Sequence, residues 1–183
     1  SVKAAVRRAL LEAGHQAKLL AVLSDKETPI TGFVPANVDE YGWVKQAAEN
    51  LMADQELAQA EKLYLRHIAS KPPEIDLSQA YIALLDIRLK LRNLSAVRET
   101  FQTFLDRFRD NASFLRQAAH QISLAHTLYR GAERDEVLAL AERMFRVAIE
   151  STNSAGLKTM CCFQLANVLT SQGRGEEALK LYR

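Results

Sequence analysis

Histidine and cysteine are the residue types in this chain that could bind a metal or act as nucleophiles; there are four histidines and two cysteines. His120 and His126 lie six residues apart in a helix-like stretch, so we expect them to face different sides of one helix. Cys161 and Cys162 are adjacent, and on a helix their side chains point about 100° apart, which would strain a mutual disulfide. The pattern predicts two small buried thiols, with a redox or metal-binding role as the alternative.

Short motifs that build catalytic or metal sites are absent from the sequence. It contains no HExxH, no pair of CxxC motifs, no GxSxG and no glycine-rich phosphate loop. Serine and histidine in helical sequences of this kind more often cap helices or lie on the surface than form a catalytic pair. We therefore predict that the protein is not an enzyme and that it binds no cofactor or metal.

The charges of the chain are nearly balanced. Lys and Arg total 24 and Asp and Glu total 22, which gives a net charge of +2, and 48% of the residues are hydrophobic. This balance gives no reason to predict nucleic acid or a membrane surface as the main partner. No apolar run approaches the roughly 20 residues of a membrane-spanning helix, and the basic residues in the first stretch are unlike those of a signal peptide.

The two unpaired thiols favour a reducing compartment and therefore a cytoplasmic location. The chain begins without methionine and stops inside a helix-like stretch at Arg183. We expect it to be a piece of a longer protein that continues beyond Arg183. A signal or membrane anchor outside this piece would allow a periplasmic location instead.

Apolar residues recur at steps of three and four along most of the chain, which is the period of amphipathic helices, and no strand alternation occurs. The chain is therefore predicted to be all-α. Pro, Gly, Asn and Asp separate the helices, and Asp135 is the expected N-cap of one of them. The predicted helices span 2–23, 41–53, 56–70, 77–91, 94–108, 112–129, 136–150, 156–172 and 175–183.

Residues 24–40 form a long connection that contains two prolines and a glycine. Connections within helical domains usually have about two to eight residues. We expect a structural crossing that Ile30, Phe33 and Val34 anchor on the helices, with a functional loop as the alternative.

Six positions of the last helix pair recur earlier in the chain with the same spacings. The sets are Leu165, Ala166, Leu169, Gly173, Ala178 and Tyr182 in the last pair; Ala47, Ala48, Leu51, Gln55, Ala60 and Tyr64 in the first; and Leu84, Leu85, Arg88, Arg92, Val97 and Phe101 in the second. Another pair keeps only the second half of the set, at Ala141, Phe145 and Ala148. Small residues at such positions let paired helices approach closely, and large ones fill the space against the next pair.

This pattern resembles the tetratricopeptide (TPR) repeat, a helix–turn–helix unit of about 34 residues. The resemblance covers the region 41–183, whereas the preceding region 1–40 holds the N-terminal helix and the long loop. It implies an α-α superhelix of about four helix pairs, which span 41–74, 75–110, 111–153 and 156–183, the last of them truncated. Arg88 and Arg92 depart from the family pattern, which prefers Tyr and Gly there, and the third pair has extra residues around its turn. An unrelated helical bundle is the alternative.

The resemblance also implies a concave groove, lined by the first helix of each pair, in which peptides or partner helices bind. Carried over to this chain, the groove positions are Lys45, Glu49, Met52, Gln79, Ile82, Asp86, Leu89, Gln121, Met160, Phe163 and Asn167. Some members clamp a C-terminal carboxylate with Lys and Asn. Lys45 matches that pattern, but Glu49 stands in place of Asn and would repel an acidic peptide, so we do not predict the clamp. His67 stands where the repeat expects a small residue, and we expect it to be packed or partly exposed.

We therefore predict a non-catalytic scaffold that binds a peptide or helix of another protein in this groove, without nucleic acid and without membrane insertion. The alternative is a regulatory or positioning segment of a larger protein, such as a bacterial envelope-assembly or polysaccharide-export factor. A third hypothesis is self-association through Ala178, Leu179 and Tyr182 of the last pair.

Overall fold

The structure, a computed structural model, describes residues 39–182. All regular elements in this range are helical, so the prediction of an all-α chain is confirmed. Within it, eight α-helices and one 3-10 helix follow each other: α1 Glu40–Ala53, α2 Leu57–Ala69, α3 Glu74–Lys90, α4 Leu94–Arg107, α5 Ala112–Ala125, the 3-10 helix His126–Leu128, α6 Gly131–Glu150, α7 Ala155–Ser171 and α8 Gly175–Lys180. The predicted helix 2–23 and all but the end of the loop 24–40 lie outside the described residues.

The described part of the chain divides into two compact units between Ala80 and Tyr81, inside α3. In the first unit α1 packs against α2. In the second unit α5, α6, α7 and α8 pack against one another in chain order, and α5 also contacts α7. Because helices joined by short turns run antiparallel, α5–α6 and α7–α8 are successive hairpins whose first helices lie side by side.

In the first unit, His67 ties the two helices of the hairpin together. Its side chain on α2 is completely buried, and its Nδ1 lies 2.8 Å from Oε1 of Glu40 at the start of α1. Because a carboxylate only accepts hydrogen bonds, Nδ1 is the donor and carries the proton. The hydroxyl of Ser70 also donates to Glu40, over 3.2 Å. Of the two expected environments, packed or partly exposed, His67 has the packed one.

Three of the hairpins turn in the same way. Gln55, Arg92 and Gly173 follow the first helices α1, α3 and α7, and their φ angles are 64°, 55° and 79°. In each turn the next residue's N–H bonds back to a carbonyl of the preceding helix: Glu56 to Leu51 (2.7 Å), Asn93 to Arg88 (3.1 Å) and Arg174 to Leu169 (2.8 Å). A left-handed residue followed by this bond satisfies carbonyls that the helix end leaves open. The same three residues also occupy equivalent positions in the recurring sequence spacing. The recurring spacing therefore corresponds to one recurring turn structure.

The hairpin of α5 and α6 turns differently. Here α5 ends at Ala125, the 3-10 helix follows, and Tyr129 is extended and fully buried. The hydroxyl of Tyr129 donates to the carbonyl of Leu89 over 2.7 Å. Burial raises the pKa of Tyr129, so the phenol keeps the proton that this bond uses. The extra residues of this pair therefore form a turn that anchors the hairpin on α3.

Two helix starts differ from the prediction by more than one residue. α3 begins at Glu74 instead of 77, because the carbonyl of Pro73 accepts the first helical bond, from the N–H of Leu77, over 2.9 Å. α6 begins at Gly131 instead of 136, so the prediction that Asp135 is an N-cap is wrong. Asp135 lies inside the helix, close to its N-terminus, where a negative charge is still favourable.

The two arginines that depart from the repeat pattern have structural partners in the second unit. Arg88 on α3 donates to the carbonyl of Ala96 on α4 over 3.0 Å and to the hydroxyl of Thr100. Arg92 donates to the carbonyl of Leu128, and its guanidinium lies 5.7 Å from the ring centre of Tyr129. These long side chains thus bridge neighbouring helices at positions where the family pattern has a tyrosine and a glycine.

The second helices of the hairpins are linked by charged side chains. Arg98 on α4 pairs with both oxygens of Glu136 on α6. Glu142 on α6 accepts hydrogen bonds from Arg146, over 2.8 Å, and from Arg174 before α8, over 2.6 Å. Burial opposes the charged form of Glu142, but these bonds together hold its pKa below the usual value of 4.5. Glu142 is only 14% exposed and therefore holds α8 against α6 as a partly desolvated ion pair.

Replacing Gly173 by alanine should lower the free energy of unfolding by about 1 kcal/mol, because a Cβ is disfavoured at positive φ. No heavy atom lies within 4 Å of the added Cβ, so the backbone alone carries the effect. Gly175→Ala is the matched control: its Cβ also meets nothing within 4 Å and its φ is not positive, so it should be neutral or stabilising. Urea unfolding measures both, and equal stabilities of the two variants would contradict the turn assignment.

Replacing Glu142 by glutamine should lower the free energy of unfolding by about 1–2 kcal/mol at pH 7, because two arginines lose a charged acceptor. Because the pKa of Glu142 is lowered on folding, its contribution is present above pH 4.5 and is lost as the pH falls below that value. The variant should therefore lose less stability than the wild type between pH 5 and pH 3. Glu150→Gln, on the exposed end of the same helix, is the control for removing a carboxylate. Parallel acid curves for Glu142→Gln and the wild type would contradict the ion pair.

A candidate partner-binding groove

A groove of about 540 Å³ lies between α5 and α7 in the second unit. Both helices are the first helices of their hairpins, and Leu138 of α6 forms part of the floor between them. The lining residues are His120, Ser123, Leu124, His126, Leu138, Thr159, Met160, Phe163, Gln164, Asn167, Val168 and Ser171. The volume lies within the range of binding clefts for small molecules or for a few side chains of a peptide.

Three large apolar side chains of the groove are exposed to solvent. Leu124 is 56% exposed, Met160 50% and Phe163 55%. Phe163 meets the ring of Tyr182 edge-on, with 6.4 Å between ring centres, and Tyr182 is itself 57% exposed. Single exposed apolar residues are common, but several in one concave surface mark an interaction site. The groove thus offers apolar contacts that the second unit itself leaves open to solvent.

Polar groups that can form hydrogen bonds accompany this apolar surface. His126 lies with its Nδ1 2.6 Å from the carbonyl oxygen of Ser123, so Nδ1 is the donor of this bond. Asn167 is exposed, and Gln164 accepts a hydrogen bond from Arg116 over 3.3 Å. The groove can therefore orient a polar backbone as well as bury apolar side chains.

The expectation that His120 and His126 face different sides of one helix is wrong. α5 ends at Ala125, and the 3-10 helix changes the direction of the following side chain. Both histidines line the groove, one from each element. The prediction from the six-residue spacing assumed a helix that continues to residue 129, and the helix ends at Ala125 instead.

The structure brings together the three groove positions predicted on α7. Met160, Phe163 and Asn167 all line the groove between α5 and α7. Gln121 instead donates to Asp86 of α3 over 2.8 Å, so it belongs to the contact between α3 and α5. Leu89 is completely buried; its side chain is part of the core and cannot line a groove.

The other predicted groove positions lie on α1 and α3. Lys45 and Glu49 are exposed on α1, with their charged atoms 4.0 Å apart, and Met52 one turn further is half-buried. Gln79 and Ile82, on α3, are half-buried, and Asp86 on the same helix pairs with Lys90 over 2.7 Å. These residues belong to α1 and α3 and do not contribute to the groove of the second unit.

Several lining residues escaped the sequence reasoning, chiefly His120, Leu124, His126 and Gln164. Leu124 could have been found from the sequence, because it is a large apolar residue three positions after Gln121. It lies on the face of α5 that points away from the core residues Ala118, Ala119 and Ile122. The register of α5 was hard to assign because its hairpin lacks the repeat spacing in its first half. His126 had no sequence signal, since its position depends on where α5 ends.

The described residues offer no metal centre, because no three His, Cys, Asp or Glu side chains among them are grouped to hold an ion. Cys161 and Cys162 are unpaired thiols; Cys161 is fully buried and Cys162 is half-buried. Burial raises the pKa of Cys161, which disfavours the reactive thiolate. Among the helices that the structure describes, none combines the length and the apolar character that crossing a membrane requires.

Comparison of the sequence with models of known protein families, and with curated proteins, finds no match.

In the folded protein, Cys161 should not react with an aromatic disulfide reagent, because its thiol is buried and protonated at pH 8. Cys162 should react slowly. In the variant Cys162→Ser, labelling should appear only when urea unfolds the chain, as followed by absorbance of the released thiolate. Labelling of this variant before unfolding would contradict the burial of Cys161.

Proposed function

We propose that this protein is a TPR-like scaffold that binds a segment of another protein in the groove between α5 and α7. The observation that carries the proposal is the group of three half-exposed apolar side chains, Leu124, Met160 and Phe163, in one concave surface. Burying each of them against a partner would contribute roughly 1 kcal/mol or more, because each still exposes about half of its surface. The recurring left-handed turns at Gln55, Arg92 and Gly173 support the likeness to TPR repeats.

The partner segment that fits this groove is a short peptide or one face of a helix with one or two large apolar anchors. Such an anchor would pack on Phe163 and Met160, and the side chains of Asn167 and Gln164 would bond to the polar backbone beside it. Helix-lined grooves recognise partners in this way through a few apolar side chains at regular spacing. Phe163 is the expected main contact, because buried aromatic residues dominate interface energetics.

The test is a selection of peptides from a random library displayed on phage, with this chain as the target. Affinities of the selected peptides are then measured by fluorescence anisotropy. Phe163→Asp should weaken their binding at least tenfold, since it places a charge in the apolar contact. Phe163 is 55% exposed, so the variant should fold, and circular dichroism checks this.

Ile75→Asp is the matched control, because Ile75 is a 66% exposed apolar side chain outside the groove. It should leave the affinity unchanged. Peptides that bind wild type and Phe163→Asp equally would contradict the proposal. Concentration-dependent dimerisation that Phe163→Asp abolishes would also contradict it, because a second copy of the chain would then occupy the groove.

A further inference from the structure

Acidic residues are missing from the two helices that form the groove. The chain has 22 Asp and Glu residues, yet none lies in α5, in the 3-10 helix or in α7. The ionisable side chains of these elements, apart from the two thiols, are Arg116, His120, His126 and Lys158. Of these residues His120 and His126 line the groove, so a peptide in it would face two imidazoles beside α5 and neutral side chains along α7.

Several carboxylates of the neighbouring helices have partners of their own. Asp86 on α3 accepts from Gln121 on α5 and pairs with Lys90. On α6, Glu136 pairs with Arg98 and Glu142 pairs with Arg174. These carboxylates pair with cations outside α5 and α7, and no ion pair joins a base of α5 or α7 to a carboxylate among the described residues.

Two arginines adjoin the groove through its lining residues. Arg116 donates from Nη1 to Gln164 over a long 3.3 Å, and its buried Nε has no hydrogen-bond partner among the described residues. Arg134 on α6 donates to the carbonyl of Ser171 at the end of α7, over 2.9 Å. The one carboxylate paired with Arg134 is that of Asp135, at 3.8 Å and 73% exposed. A guanidinium has five N–H donors, so both arginines have capacity for a further acceptor.

We propose that the partner segment is acidic: an apolar anchor that packs on Leu124, Met160 and Phe163, flanked by Asp or Glu side chains that face the bases of α5 and α7. This inference rests on the proposed function and names the chemistry of its partner. Complementary charge of this kind speeds association and selects among partners that share the same apolar anchor.

The experiment uses the peptides selected on phage and compares each with an otherwise identical peptide in which Glu and Asp are replaced by Gln and Asn. The acidic peptides should bind about tenfold more tightly at low salt, and the advantage should shrink as the salt concentration rises from 50 to 300 mM, because counterions screen the charges. Equal affinities of the acidic and amide peptides, or a selection dominated by basic peptides, would overturn the inference.

Two variants locate the effect on the protein. Arg116→Gln and His120→Glu should each reduce the ratio of the affinity for the acidic peptide to the affinity for its amide form. His120 is exposed, so its substitution does not disturb the core if Arg116→Gln should fail to fold. Lys62→Gln, which removes an exposed cation of α2, is the control and should change neither affinity. An unchanged acidic preference in both groove variants would overturn the assignment to this groove.

The outcomes separate this inference from the proposed function. Peptides that bind through Phe163 without any preference for acidic side chains would overturn this inference but would still support the proposed function. If no peptide binds in a Phe163-dependent way, both fail. A 20-nucleotide single-stranded RNA serves as a third probe, and its binding through Phe163 and Arg116 in place of any peptide would show that the bases serve a nucleic acid, which would overturn both.

Discussion

The left-handed residue that ends the first helix of three hairpins is the constraint on which the arrangement of helices depends. At Gln55, Arg92 and Gly173 the backbone reverses within two or three residues, and a backbone bond across the turn satisfies a carbonyl at the helix end. So short a turn allows only an antiparallel neighbour, and it sets which faces of the two helices meet. Gln55 and Arg92 adopt this conformation although a Cβ makes it less favourable. The packing around the turn therefore imposes it, and glycine is not required.

The groove is a consequence of how successive hairpins stack in the second unit. Arg98 with Glu136, and Arg174 with Glu142, connect the second helices, while α5 and α7 lie side by side as first helices. Opposite charges pair in these contacts between second helices. The first helices α5 and α7 contain no acidic residue, and they leave apolar and basic side chains beside the groove.

The helices and their pairing could be predicted from the sequence to a large extent, and so could part of the groove. Met160, Phe163 and Asn167 were found because α7 carries the full repeat spacing, which gives its register. Gln121 and Leu89 were placed in the groove from an inferred register on α5 and α3, yet one bonds to Asp86 and the other is buried. On a helix an error of one residue rotates a side chain by about 100°, which is enough to move it from a groove into a core.

The sequence by itself determined the all-α class, most helix limits and the three equivalent turns, because these depend on residues close to one another in the chain: apolar periods, helix breakers and one turn position. The tertiary structure decided which side chains share the groove. His126 enters it because α5 ends early and a 3-10 helix follows, and Leu124 and Phe163 line it together although they are about forty residues apart in the chain. Contacts of that range depend on how whole helices pack, and no local pattern of residues encodes them.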